Sequence, residues 1–326
     1  MLLIDNLRFS IKNNFDWREK KICFKKDNKM NTDLLPEFWL DRWLPSWVRP
    51  YTRLARWDRP IGVLLLLYPG LWGLALASSN LIPLKEISLF IVGAILMRGA
   101  GCTYNDLVDH KFDARVSRTA TRPLPSGEIT RLNAIIFLAI QLFLSAFILF
   151  SFSISAIQIG FAALILVALY PWMKRITYWP QAFLGLTFNW GVLLGWAALN
   201  GKISIIPFLF YSAGFFWTLC YDTIYAHQDR EDDFLLGLKS TALALGGKTR
   251  LVLSLFFLLM ILFLVAGGFK ADLKWPYNLA ILLVTGHALW QLKKLNINDS
   301  FSCLRLFKAN HWIGLLIFIG IILGKK

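Results

Sequence analysis

The stretch Asn105-Asp106-Leu107-Val108-Asp109-His110-Lys111-Phe112-Asp113 closes an apolar run that extends from Leu89 to Tyr104. On a helix, Asp106, Asp109 and Asp113 at i, i+3 and i+7 share one face. Three anions on one face repel each other unless a cation lies between them. Carboxylate oxygens are hard ligands, and Mg²⁺ is held through carboxylates together with substrate phosphates. A second set, Asp222, Tyr225, Asp229 and Asp233, repeats the pattern at the end of another apolar run. The offset from Asp106 to Asp222 equals that from Asp113 to Asp229. Two acidic faces in equivalent positions of two halves point to one metal–diphosphate site. Its expected Mg²⁺ ligands are Asp106, Asp109, Asp113, Asp222, Asp229 and Asp233.

Basic residues accompany both sets. The loop from Arg115 to Gly127 holds Arg118 and Arg122, with turn chemistry at Pro123, Pro125 and Gly127. Arginine suits bidentate contact with phosphate oxygens. The competing reading is that these arginines only mark the loop's side of a membrane. Lys174 and Arg175 end a further apolar run, where they either reach the same site or complement a helix dipole. Lys239, in Gly237-Leu238-Lys239-Ser240-Thr241, is placed to neutralise a diphosphate. Asp58-Arg59-Pro60 leads directly into the first apolar run, and an ionisable pair there points to a cavity. His227, Glu231 and Asp232 fall off the second acidic stripe and are expected at the surface.

Membrane helices must position these groups. The chain has 326 residues, 56% of them apolar, and runs of about 20 apolar residues are long enough to span a bilayer. Nine candidates lie near Ile61–Ser79, Ile87–Tyr104, Leu132–Phe150, Ala156–Met173, Ala182–Asn200, Ile203–Tyr225, Leu251–Gly267, Trp275–Leu292 and Ala309–Leu323. The net charge of +15 would suit nucleic acid, but its placement suits a lipid bilayer better. With the N-terminus inside, alternate loops collect Lys and Arg as cytoplasmic loops do, and both acidic sets fall on that side. Residues 1–50 read as a polar, basic tail that runs into an amphipathic interfacial helix, Phe38 to Trp57, rich in Trp and Arg. The transmembrane domain is expected over 51–326. No secretory signal is legible, and the acids Asp5, Asp16, Glu19 and Asp27 argue against a transit peptide, which favours a bacterial inner membrane over a mitochondrial one. The four cysteines have neither metal nor redox spacing.

Carboxylates, Mg²⁺ and flanking Arg and Lys are the parts needed to hold a diphosphate and stabilise it as it leaves. A site of this kind at the end of membrane helices calls for a substrate with a polar head and a long apolar tail, and a polyprenyl diphosphate fits. The cation left by an allylic diphosphate would need aromatic faces and exclusion of water; the chain holds 26 Phe, 14 Trp and 9 Tyr. A CDP-alcohol phosphotransferase would show one acidic cluster rather than two. A transporter would place its carboxylates near midspan rather than at helix ends.

The pattern Asn105-Asp106-x-x-Asp109-x-x-x-Asp113 with Arg118-Thr-x-x-Arg122-Pro-Leu-Pro-Ser-Gly127 resembles the first signature of the UbiA-type membrane prenyltransferases. Tyr221-Asp222-x-x-Tyr225-Ala226-x-x-Asp229-x-x-x-Asp233 with Gly237-x-Lys239-Ser240 resembles the second. Trp57-Asp58-Arg59-Pro60-Ile61-Gly62 and Lys174-Arg175 after Tyr170-Pro171 are similar to the branch that acts on 4-hydroxybenzoate. The resemblance implies an all-α integral membrane protein: nine transmembrane helices around a central cavity, two four-helix pseudo-repeats plus a final helix. It implies Mg²⁺-dependent transfer of a polyprenyl group to the carbon ortho to the phenol of 4-hydroxybenzoate, a step of ubiquinone synthesis; haem and menaquinone precursors are the alternative acceptors within the family. Asn105, Tyr225, Arg118, Arg122, Lys174, Arg175 and Lys239 would then contact the donor, and Arg59 or another of these basic residues the acceptor carboxylate.

Overall fold

The computed structural model describes residues 42–79, 82–115, 119–202 and 204–325. Arg118 and the tail before residue 42 lie outside the described residues. Every regular element among the described residues is helical. Among the described residues of the interfacial segment the α-helical part is α1 (Arg49–Leu54), with Pro50 in its first turn. Pro45 and Pro50 lack the N–H that a continuous helix would need. Trp43 and Trp47 are nonetheless well exposed, as side chains at headgroup depth would be.

Membrane-length helices follow. α2 (Ile61–Ala77) starts after Pro60. α3 (Leu84–Asp113) runs without a break through the whole first acidic set, as its spacing requires. α4 (Arg131–Leu149) and α5 (Ile154–Ile176) start at Thr130 and Ser153, whose hydroxyls accept from backbone N–H groups of the first turn. The span expected over Ala182–Asn200 is divided into α6 (Pro180–Phe188) and α7 (Trp190–Asn200). Asn189 sits at the break and donates to the Gly185 carbonyl and to Thr218 Oγ1, both at 2.8 Å. α8 (Ile205–Ala226), the short α9 (Arg230–Leu235) and α10 (Thr241–Leu245), α11 (Thr249–Lys270), α12 (Trp275–Lys294) and α13 (Ser300–Gly324) complete the chain.

Seven of these passes are long and apolar enough to cross a membrane, against the nine expected. The difference lies in α2, an apolar helix of 17 residues, and in α12, which carries Asn278, Thr285, His287 and Gln291. The polar groups of α12 are not wasted in the bundle. Gln291 and Asn310 exchange amide hydrogen bonds at 3.1 and 3.2 Å, and Trp217 Nε1 donates to Asn310 Oδ1 at 3.0 Å. Hydrogen bonds of this kind tie helices together where lipid offers no polar partner.

The core centres on Trp72 and Trp217, both fully buried with ring centroids 5.4 Å apart. α2 and α7 cross in close backbone contact. A Cβ on Gly73 would strike the Val192 carbonyl oxygen, and one on Gly195 that of Gly70. Neither backbone atom can swing aside. Gly73→Val is therefore expected to cost about 1–3 kcal/mol or more and to lower the melting midpoint in detergent. Gly286→Ala, whose added Cβ meets nothing within 4 Å, is the unchanged control.

Antiparallel alternation brings the C-terminal ends of α3, α5 and α8 to the same end of the bundle as the N-terminal ends of α2 and α13. That end carries the functional groups.

Candidate active site

At this end a cavity of about 1470 Å³ is lined by residues of both acidic sets. Asn105, Asp106, Asp109 and Asp113 of α3 face Asp222 and Tyr225 of α8 and the turn beyond it, Asp229 to Asp233. Lys174 at the end of α5 lines the same cavity and feels the charges of Asp109, Asp229 and Asp233, so it stands near both sets. The equal sequence offset of the two motifs thus becomes one spatial site.

The second set is not one continuous helical stripe, as expected. α8 stops at Ala226, the chain turns through His227 and Gln228, and α9 begins after Asp229. Asp233 N donates to the Asp229 carbonyl at 2.8 Å, so one-turn spacing survives the break while the direction changes. The turn carries Asp232 onto the cavity wall, contrary to its expected surface position. His227 is also not a surface residue: it is 5% exposed, with Nε2 3.1 Å from Thr249 Oγ1. Burial, and then the Arg230 charge, lower its pKa from 6.5 to about 4. A neutral buried imidazole stabilises the fold fully above the unfolded value and less as pH falls toward the folded one. The melting midpoint should therefore drop between pH 6.5 and about 4, with His227→Gln flattening that part of the profile.

Arginines neutralise the first set. Arg56 Nη2 lies 2.9 Å from both Asp106 oxygens. Arg122 Nη1 donates to Asp113 Oδ2 at 2.8 Å and reaches Asp106 Oδ1 at 3.4 Å. Arg175 Nη2 donates to Asp109 Oδ1 at 2.8 Å, its guanidinium between the rings of Phe112 and Trp172. Arg175 and Lys239 are off the cavity wall, and Lys239 Nζ donates to the Ile176 carbonyl. Arg59, which does line the cavity, has its Nε 3.4 Å from Asp58 Oδ2.

Sequence reasoning passed over two residues. Arg56 sits among the arginines of the interfacial segment. Its left-handed backbone, φ 59°, turns its side chain under Asp106, a pairing that no local pattern carries. Arg98 did leave a signal, being a charge inside the apolar run of α3. Its guanidinium lies on the cavity wall, packed over the Phe188 ring at 5.4 Å and against Gly62. No carboxylate forms an ion pair with it among the described residues.

The oxygen-rich donor set fits a hard divalent cation. Asn105 Oδ1 is buried on the cavity wall without a hydrogen-bond partner among the described residues, and it stands one turn from Asp109. No three acidic, His or Cys side chains among the described residues stand close enough to cage an ion alone. That suits an ion such as Mg²⁺, which takes one or two carboxylates and completes its shell with water and substrate phosphate.

Fold and site together define a multi-pass helical membrane protein with a carboxylate–arginine centre at one end of a lipid-sized apolar cavity. The model of the UbiA prenyltransferase family matches residues 66–314, and the chain belongs to that family. It is 46% identical over 310 residues to "4-hydroxybenzoate polyprenyltransferase, mitochondrial" of Arabidopsis thaliana, covering 93% of this chain and 76% of that protein. Its fold is similar to the apo structure of a UbiA homolog from Aeropyrum pernix K1, with TM-score 0.69, 23% identity, and 79% and 96% of the two chains covered. It is similar also to a UbiA homolog from Archaeoglobus fulgidus bound to GPP and Mg²⁺, with TM-score 0.65, 19% identity, and 84% and 99% covered.

Proposed function

We infer that this protein transfers the polyprenyl group of a polyprenyl diphosphate to the carbon ortho to the phenol (C3) of 4-hydroxybenzoate, a Mg²⁺-dependent step of ubiquinone synthesis. The observation that carries the reading is the convergence of both acidic sets and Lys174 on one cavity. The name of the Arabidopsis relative supports the acceptor, and the ligands of the Archaeoglobus structure support the donor class and the ion.

Asp106, Asp109 and Asp113 on one side and Asp222, Asp229 and Asp233 on the other, with Asn105, would hold Mg²⁺ directly or through water. When bound, the ion supplies neutralisation of the diphosphate's charge. The allylic C–O bond breaks and its electron pair leaves with the diphosphate. Lys174 and Arg122 meet the charge that grows on the leaving oxygens. Arg118 belongs to the same loop as Arg122 and is assigned the same role. Arg175 and Lys239 support the site from outside the cavity. Tyr170 and Phe307 line the cavity and are assigned to stabilise the allylic cation while excluding water. The aromatic C3 forms the new carbon–carbon bond, and the proton it loses passes to the released diphosphate.

We assign the acceptor carboxylate to Arg98 rather than to Arg59. Arg59 already faces Asp58, whereas Arg98, a charge within a membrane helix, lines the cavity and forms no ion pair among the described residues. Residues 1–50 serve as a basic tail leading to the interface. The active site faces the side of the basic loops, in an energy-coupling inner membrane. The relative's designation as mitochondrial supports that organelle rather than the bacterial membrane favoured by the N-terminal composition.

A panel of acceptors tests this reading. The purified protein should convert 4-hydroxybenzoate to its 3-prenyl derivative, identified by the loss of one ortho ring proton in the NMR spectrum. Transfer to a naphthoate or a haem with none to 4-hydroxybenzoate would exclude the proposed acceptor.

A further inference from the structure

The cavity wall includes two cations that the mechanism does not use. Arg305 and Lys308 stand one turn apart on α13, with His311 a further turn on, all on the cavity side. Both cations are exposed, and neither forms an ion pair among the described residues. Arg56, Arg122 and Arg175 differ in this respect, each being committed to an aspartate.

Their position relative to the centre is fixed by Phe307, which lies between them in sequence. Its ring packs on Tyr225 of the second acidic set at 4.7 Å and on Tyr221 at 5.8 Å. Arg305 and Lys308 therefore stand at the rim of the centre, on the helix that borders α2. Deeper in the membrane the α2–α13 seam is closed: Gly314 abuts the Tyr68 ring, and Trp72 Nε1 donates to the Gly314 carbonyl at 2.9 Å. Nearer the site end, Ile61 and Leu64 of α2 and Leu304 of α13 all line the cavity, so the cavity reaches between the two helices there. An apolar seam topped by two uncommitted cations matches a lipid whose head carries phosphate.

We propose that Arg305 and Lys308 form a capture site for the phosphate-bearing head of the prenyl donor, outside the aspartate centre and on the route into it. The site rests on the prenyl-transfer reading for its productive occupant, although any phosphate-headed lipid shares the chemistry. Capture acts on association: two exposed cations steer an anion and raise its rate of arrival, but leave the held state to the inner residues.

The test is the association of unreactive geranyl thiolodiphosphate with full-length protein in phosphatidylcholine nanodiscs, followed by tryptophan fluorescence, with Trp190 on the cavity wall as reporter. Arg305→Gln/Lys308→Gln is expected to slow association about tenfold, to leave the dissociation rate unchanged and to flatten its salt dependence. An unchanged association rate, or faster dissociation alone, would overturn the capture role. Adding phosphatidylglycerol should slow association in the wild type and not in the variant. Equal slowing in both would place the lipid's competition elsewhere and also count against the site. Turnover of the wild type with 4-hydroxybenzoate is measured in parallel. An inactive wild type sinks the prenyl-transfer reading, whereas an active wild type with an unaffected variant sinks only the capture site.

Discussion

Asp222→Asn is expected to lower kcat on the order of 10³-fold while leaving the melting midpoint near that of the wild type. Asp222 is half-buried on the cavity wall near Lys174 and Arg98, and no ion pair among the described residues holds it in place. Its loss removes one carboxylate from the second set without stranding a buried charge. Asp106→Ala should behave differently. Asp106 is 1% exposed and accepts from Arg56 Nη2 through both carboxylate oxygens. Removing one partner of a buried ion pair costs about 3–5 kcal/mol, because the other charge remains without compensation. Asp106→Ala should therefore lose both turnover and thermal stability. Adding Arg56→Met should restore much of the stability and none of the turnover. Thermal denaturation and turnover, measured on the same detergent preparations, check both halves. Near-normal activity in Asp222→Asn would remove Asp222 from the site.

Arg98→Gln is the second large effect. If Arg98 holds the acceptor carboxylate, its loss should reduce kcat/KM for 4-hydroxybenzoate about 10²-fold, as expected for about 3 kcal/mol of charge-assisted hydrogen bonding in a desolvated site. The KM for the prenyl diphosphate should stay within about twofold of the wild type, since the donor's charge is met by other residues. The discrimination against phenols that lack a carboxylate should shrink by the same factor as the loss on 4-hydroxybenzoate. Arg59→Gln should do little to acceptor kinetics, because Arg59 already faces Asp58. The opposite pattern, with Arg59→Gln impairing the acceptor and Arg98→Gln neutral, would return the assignment to Arg59.

Arg56 and Arg98 mark the limit of what was legible in the chain. The first acidic set was legible in full, because helix periodicity and a long apolar run are local properties, and α3 carries it unbroken. The pairing of the two sets was legible from their equal offsets. The break after Ala226 was not, since the one-turn spacing from Asp229 to Asp233 looks the same whether or not the helix continues. That break puts Asp232 on the cavity wall and His227 in the interior. Arg56 was illegible because its partner lies 50 residues away and its orientation depends on a left-handed backbone. Arg98 carried a readable signal, a lone charge in an apolar helix, that the stronger acidic pattern overshadowed. The division at Asn189 depends on Gly185 and Thr218 accepting from its side chain, the second of them on another helix. The count of spans rests on α2 and α12, whose length and polar content make sense only once their neighbours supply hydrogen bonds and close packing.

One metal–diphosphate centre built from the two acidic sets makes prenylation of 4-hydroxybenzoate depend on the ion. The most direct measurement is turnover of the purified protein with ring-labelled 4-hydroxybenzoate and geranyl diphosphate, with Mg²⁺ and then with EDTA. Such a centre predicts a C-prenylated product with Mg²⁺, its disappearance in EDTA and its return when Mg²⁺ is restored. Product formation undiminished by EDTA, or no prenyl transfer to any aromatic acceptor by a folded preparation, would contradict it.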